Sequence, residues 1–272
     1  DLVVAGTWPF KDGKAFEAAT QIMKQYLALT RYRLPHKSAI MIAPFQLSAN
    51  TTWKAETRGS TLVLLIDPDA HFDTWLGQLR VIFSHELLHL WVPNALKLEG
   101  DYDWFFEGFT LYMALRTALE LRVVRFDGFL ATLAGVYDSY LSLPDDLSLV
   151  EASERRWTNP QSNVYVKGML VAFLFDLKVR RESGGTATLA QRYRELFDGR
   201  AAANANANDV IIALLDAAPV MNGFAKTYVA GRTKIELEKV LPAYGLTLDS
   251  SARKSQLRVS RDLNEEQKQL LF

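Results

Sequence analysis

From Gly13 to Arg31 the residues Phe16, Ala19, Ile22, Met23, Tyr26, Leu27 and Thr30 recur at intervals of three and four. That spacing predicts an amphipathic helix, opening near Asp12 as its cap. Ser38 to Leu47 and Ser60 to Ile66 are short β-branched and aliphatic runs bounded by Pro44, Asn50, Gly59 and Pro68. They predict strands of a small sheet for that helix to pack on. Thr74 to Trp91 returns to helical spacing, capped by Asp73 or Thr74 and stopped by Pro93 and Asn94. A second helix is expected over about Trp104 to Val123, and a third from Asp127 that breaks near Pro144 and leads into an irregular stretch to Asn163. Val164 to Arg181, Thr188 to Phe197, Asp209 to Ala217 and Phe224 to Ala230 read as further helices. Strands come early and helices late, the order of an α+β fold.

Between these elements, Ala201 to Asn208 alternates Ala and Asn, the composition of an exposed connection. No period of 20 to 50 residues repeats. The expected division is a catalytic unit over 1–248, with an α/β lobe (1–92) and a helical lobe (93–248), followed by a mixed-charge tail (249–272) read as a docked extension or frayed terminus.

Half of the chain is hydrophobic (49%), enough to close a core without staples, and 31 basic side chains balance 31 acidic ones. No global field draws the protein to nucleic acid, which is not an expected partner. The longest apolar run, Met169 to Phe175, is seven residues, against about twenty for a bilayer span. No cysteine is present, so neither a thiolate nucleophile nor a Cys-held metal is on offer, and the composition suits any compartment. The chain starts at Asp1 without a basic start and apolar h-region, which reads as a fragment or a mature form from which a signal or an upstream domain has been trimmed, compatible with the periplasm or secretion.

Imidazole chemistry must come from His36, His71, His85 and His89. The last two stand in His85-Glu86-Leu87-Leu88-His89, a spacing whose chance occurrence in this composition is about 0.003. Four residues of α-helix overshoot a full turn by only about 40°, so both rings project from one face and can fill two corners of a zinc tetrahedron. Glu86 on the same turn can take a proton from a water that the metal acidifies. Without Cys, a third ligand must be His, Asp or Glu, and Glu107 within Trp104-Phe105-Phe106-Glu107-Gly108-Phe109-Thr110 is the candidate. An acid in a helix's first turn that merely suits the macrodipole is the plainer alternative for that residue. His36 and His71 have no ligand spacing, and serine-hydrolase, P-loop and dinucleotide fingerprints are absent.

The string HELLHLW, then FFEGFTLY, then LSLVEAS, then Tyr165-Val166-Lys167-Gly168 with VAFLFDLKVR behind it, resembles the glycyl aminopeptidase family of gluzincin zinc peptidases. The likeness runs from about Lys11 to Leu248. It implies a thermolysin-like catalytic domain acting on peptides, with zinc on His85, His89 and Glu107 and Glu86 as base. It also implies that Tyr165 donates its hydroxyl to the oxyanion that forms at the attacked carbonyl. Glu56, in a segment similar to the second half of the family's Gly-Gly-Leu-Glu-His stretch, would anchor a substrate's terminal ammonium. An aminopeptidase that removes small N-terminal residues is what these positions together imply.

Four departures qualify the likeness. Trp53 and Lys54 stand where the family has glycines, which keeps an endopeptidase of other specificity open. Ala114 occupies the position, seven beyond Glu107, where an acidic residue behind the ligands is expected. Two connections are shortened, and the family's flanking β and PDZ domains have no counterpart here. A catalytically silent peptide-binding domain of the same fold is the alternative from a different class.

Overall fold

The structure is a computed structural model of the 272-residue chain; it describes residues 1–271 apart from 47, 49–50, 73, 144–146, 159–163, 201–203 and 251–253. The expected cap at Asp73 and the break at Pro144 lie outside the described residues. The elements are β1 (Leu2–Val4), α1 (Asp12–Thr30), β2 (Ala39–Pro44), β3 (Trp53–Arg58), β4 (Thr61–Ile66), α2 (Trp75–Glu86), α3 (Thr110–Glu120), α4 (Phe126–Leu141), α5 (Leu149–Glu154), α6 (Val164–Glu182), α7 (Leu189–Glu195), α8 (Ala207–Leu215), α9 (Leu237–Val240), β5 (Leu246–Asp249), β6 (Gln256–Val259) and α10 (Glu265–Leu271). A mixed α+β architecture is what the sequence pattern predicts, and it is what the chain adopts.

The main sheet has the order β1-β2-β4-β3; β1, β2 and β4 run parallel, and β3 is an antiparallel edge. Ile40, Ile42, Leu62, Leu64 and Ile66 share its buried face. There they meet Ala15, Ala19, Ile22 and Tyr26 of α1 and Leu79, Ile82 and Phe83 of α2, in one core that continues through the helical part of the chain. Each large side chain so buried contributes about 1.5–3 kcal/mol. Two polar ties lock α1 to the region of α2: the Tyr26 hydroxyl donates to the Ser84 carbonyl, and Trp91 Nε1 donates to the Tyr32 carbonyl at 2.8 Å.

Several boundaries differ from expectation for local reasons. Asp12 is the first residue of α1 rather than its cap; Lys11 precedes it with no side-chain cap bond, and the Asp12 charge sits in the favourable first turn. The helix expected to Trp91 is α-helical only to Glu86, and Leu88–Leu90 tighten into a 3₁₀ turn in which Trp91 N–H reaches the Leu88 carbonyl at 2.9 Å. Such tightening is common at C-terminal ends. The second helix begins as a π-helical segment, Trp104–Phe109, before continuing as α3. Within the stretch read as irregular lies α5, held by a capping box: the Ser148 hydroxyl accepts from Glu151 N–H, and the Glu151 carboxylate accepts from Ser148 N–H.

The Ala/Asn-rich segment also does more than connect. Asn206 caps α8, and Asn208 accepts from Trp104 Nε1 at 2.7 Å while donating to the Asp101 carbonyl at 3.0 Å. In the C-terminal part, β5 and β6 form an antiparallel pair and α10 lies against α6, with Arg181 Nε 3.0 Å from Glu266 Oε1. No single helix among the described residues is long and apolar enough to cross a membrane.

Candidate metal centre

Three side chains meet near the edge strand, His85 from α2, His89 from the 3₁₀ turn that follows it and Glu107 from the Trp104–Phe109 segment. His85 Nε2 and His89 Nε2 are 3.1 Å apart, and Glu107 Oε2 lies 3.3 Å from the first and 3.5 Å from the second. A tetrahedral zinc with ligands at 2.0–2.1 Å separates them by about 3.4 Å, so this triangle has the dimensions that such an ion requires. Among the described residues it is the one group of His, Asp and Glu side chains so arranged.

The surroundings prepare these atoms to face inward. His89 is buried and its Nδ1 lies 3.0 Å from the Val92 carbonyl, which can only accept. In the neutral ring Nδ1 therefore carries the proton and Nε2 keeps its lone pair for the centre. His85 Nδ1 is buried with no protein partner. Ala114, where an acid was expected to stand behind a ligand, is itself buried.

Burial works against charge on Glu107, but the hydrogen bonds and field of His85 and His89 outweigh it and hold the carboxyl well below the usual range. Burial likewise opposes protonation of His89, and Glu107 reverses this, raising the imidazole above its ordinary value. Both shifts describe a cluster that favours positive charge at its middle, as a metal ion supplies.

Glu107 lies within a π-helical segment, an arrangement often found at functional sites. Trp104, Phe105 and Phe109 are buried around it, with Phe105 stacked on Tyr193 at 4.9 Å. Phe106 turns an edge towards His89 at 6.3 Å between ring centres. The start of the segment is fixed by Ser153 Oγ, which accepts from Trp104 N–H at 2.9 Å.

Glu86 is buried beside the histidines, its Oε2 3.0 Å from the Thr57 hydroxyl, which is also 2.9 Å from the Glu86 carbonyl. Thr57 belongs to β3, so the edge strand itself steers this carboxylate. Asn94 fastens the same strand to the end of the histidine helix, donating to the His89 carbonyl at 2.8 Å and to the Thr57 carbonyl at 3.2 Å. Tyr165 stands in the first turn of α6, partly exposed. Burial and the nearby Glu107 charge keep its hydroxyl protonated well above the ordinary tyrosine range.

Glu56 does not join them. Successive side chains of a strand point to opposite faces, and with Thr57 turned to Glu86, Glu56 is turned away. Its side chain is exposed and accepts from Arg58 Nε at 2.6 Å. The expected anchor for a terminal ammonium is thus on the outer face of β3. Conversely, sequence reasoning gave no weight to Arg156. Its guanidinium bonds Asp103, Glu107 Oε1 (2.8 Å) and the Tyr165 hydroxyl at once. One of two consecutive arginines just past the end of a short helix carries no periodicity or spacing that would single it out.

Comparison with known proteins bears on the family and the fold. A puromycin-sensitive aminopeptidase of Caenorhabditis elegans is 31% identical over 84 residues, which cover 30% of this chain and 9% of that protein. The crystal structure of an aminopeptidase N family protein from Idiomarina loihiensis superposes with a TM-score of 0.74 at 19% identity, covering 91% of this chain and 47% of that one. This chain therefore spans less than half the length of either, and the structural likeness speaks for the fold. Residues 14–139, the stretch that holds His85, Glu86, His89 and Glu107, match the peptidase family M1 domain, and the likeness to gluzincin aminopeptidases drawn from the sequence stands on that match.

Proposed function

We propose that this chain is the catalytic part of a zinc-dependent peptidase, and that it acts as an aminopeptidase, as the names of its relatives suggest. The observation that carries the proposal is the triangle of His85 Nε2, His89 Nε2 and Glu107 Oε2, with edges of 3.1, 3.3 and 3.5 Å. Bound there, zinc would polarise the scissile carbonyl and acidify the attacking water.

The remaining work falls to the chain. Glu86, held by Thr57, takes the proton of the attacking water on a carboxylate oxygen and passes it to the leaving amine. Tyr165, kept protonated, donates to the oxygen on which negative charge grows. β3 is an edge strand of the sheet, a place where an extended peptide can lie alongside.

Removal of small N-terminal residues is the finer expectation, and the outward position of Glu56 favours a second reading, cleavage that ignores the amino terminus. A panel of free and N-blocked peptides separates the two, with free peptides cut at least about tenfold faster if the aminopeptidase reading holds. Metal analysis together with Glu86→Gln tests the wider proposal. One zinc per chain and a loss of about a hundredfold or more in kcat are expected; a chain without zinc, or hydrolysis indifferent to Glu86→Gln, contradicts it.

A further inference from the structure

We propose that Arg156 is a positioning residue that sets the metal-binding geometry of Glu107 and the direction of the Tyr165 hydroxyl through one guanidinium group. The inference rests on the zinc-peptidase reading above and adds to it a residue outside the ligand and proton-transfer set.

The guanidinium is largely buried and sits among the rings of Phe106, Trp157 and Tyr165, with its central carbon 5.9, 4.9 and 5.2 Å from their centres. Its Nη1 donates to Asp103 Oδ1. Its Nη2 carries two hydrogens and has two acceptors, Glu107 Oε1 at 2.8 Å and the Tyr165 hydroxyl oxygen.

The bond to Glu107 decides which of its oxygens is free. With Oε1 taken by Arg156, only Oε2 faces His85 and His89, so the carboxylate presents a single ligand atom. Asp103 and Glu107 lie four residues apart on one segment, a spacing at which two carboxylates repel. Arg156 stands between them and joins both. Without that charge the repulsion is unopposed, and Glu107 Oε1 loses the partner that fixes the turn of the carboxylate.

The bond to Tyr165 works differently. A phenol that accepts from a guanidinium at its oxygen keeps its own O–H hydrogen to donate; Glu107 lies within its reach, and the oxygen of a bound substrate on which charge grows would take that hydrogen in its place. A lysine could supply the charge but not the planar fork that reaches three acceptors.

The test is zinc affinity of the purified chain, by competition with a chromophoric chelator, for wild type, Arg156→Met and Arg156→Lys, with apo-protein melting as the control for folding. Arg156→Met is expected to weaken zinc binding by about tenfold or more, the usual effect of removing a group that orients a ligand. Arg156→Lys should recover part of that loss and yet leave kcat on a peptide depressed with KM within about twofold. In the cobalt-loaded protein the visible bands should weaken in Arg156→Met as the freed Glu107 offers both oxygens, a change that mere loss of stability would not produce. Should Arg156→Met misfold, Arg156→Lys carries the test, with zinc weakened at least about threefold. Wild type that binds zinc, with both variants within twofold of it and unchanged cobalt bands, overturns the role of Arg156 and leaves the peptidase reading standing. Wild type that binds no zinc overturns both.

Discussion

Gly108 and Gly168 stand face to face where the Trp104–Phe109 segment crosses α6. A Cβ at Gly108 would lie 2.4 Å from the Val164 carbonyl oxygen and 2.6 Å from Gly168 Cα, and one at Gly168 would lie 2.8 Å from the Trp104 carbonyl oxygen. The crossing brings Glu107 and Tyr165, each next to or near one of these glycines, onto the same side. Buried Lys167 secures the crossing from beyond by donating to the Leu147 carbonyl at 2.6 Å.

A methyl group therefore cannot enter without moving backbone. Gly168→Ala should cost about 3 kcal/mol or more, the upper range for overpacking, and lower zinc affinity because Glu107 shifts with its segment. Chemical denaturation and zinc titration of the variant check this. A variant as stable as wild type would mean that the helices are not in this close contact.

Thr57→Val removes the hydroxyl beside Glu86 and little else in volume. Its expected effect is a fall in kcat of about tenfold, as for other groups that orient a reacting residue, with KM within twofold and one zinc retained. Steady-state kinetics on a short peptide measures it, and an unchanged kcat would show that Glu86 needs no steering from β3.

How far the sequence discloses this site differs residue by residue. His85, Glu86 and His89 are legible from the motif spacing, and Glu107 as an acid on the following helix of a chain that has no cysteine to offer. The choice between Glu56 and Thr57 turns on one residue of strand register. Yet the segment Trp53-Lys54-Ala55-Glu56-Thr57-Arg58 alternates charge at 54, 56 and 58, which marks those positions as the outer face. The capping box of α5, Ser148 followed by Glu151, was also there to read. Arg156 was not, because its role comes from Asp103 and Tyr165, which the fold alone brings to it. The π-helical turn at Glu107 likewise has no signature in the local sequence.

Acid should weaken the anchoring of α5. Hydrogen bonds from Arg232 and from Ser148 N–H hold the Glu151 carboxyl at about 2, against an ordinary value of 4.5. A depressed acid stabilises the fold above its unfolded value, and that contribution fades as pH falls from about 4.5 through about 2. Glu151→Gln should therefore lose about 1 kcal/mol at pH 7, the usual worth of a cap. The gap from wild type should narrow steadily below pH 4.5. Melting curves at pH 7, 5, 4 and 3 measure it, and a gap independent of pH would contradict the assignment.

Asp176 lies buried in α6 and accepts from the Tyr112 hydroxyl at 2.8 Å, Arg180 Nε at 2.9 Å and the Leu189 N–H at 2.8 Å. Removing one member of such a network costs about 3–5 kcal/mol. Asp176→Ala should thus lower Tm by about ten degrees while zinc still binds at one per chain, since none of these groups touches the metal ligands. Calorimetry with metal analysis tests the pair of expectations. Loss of zinc in a folded Asp176→Ala protein would tie the two regions together in a way the geometry does not.

The most direct measurement is anomalous diffraction at the zinc edge from crystals grown with zinc. The account expects one strong peak within bonding distance, about 2.0–2.2 Å, of His85 Nε2, His89 Nε2 and Glu107 Oε2. Crystals in which those three atoms diverge, or in which zinc scatters only elsewhere, would contradict it.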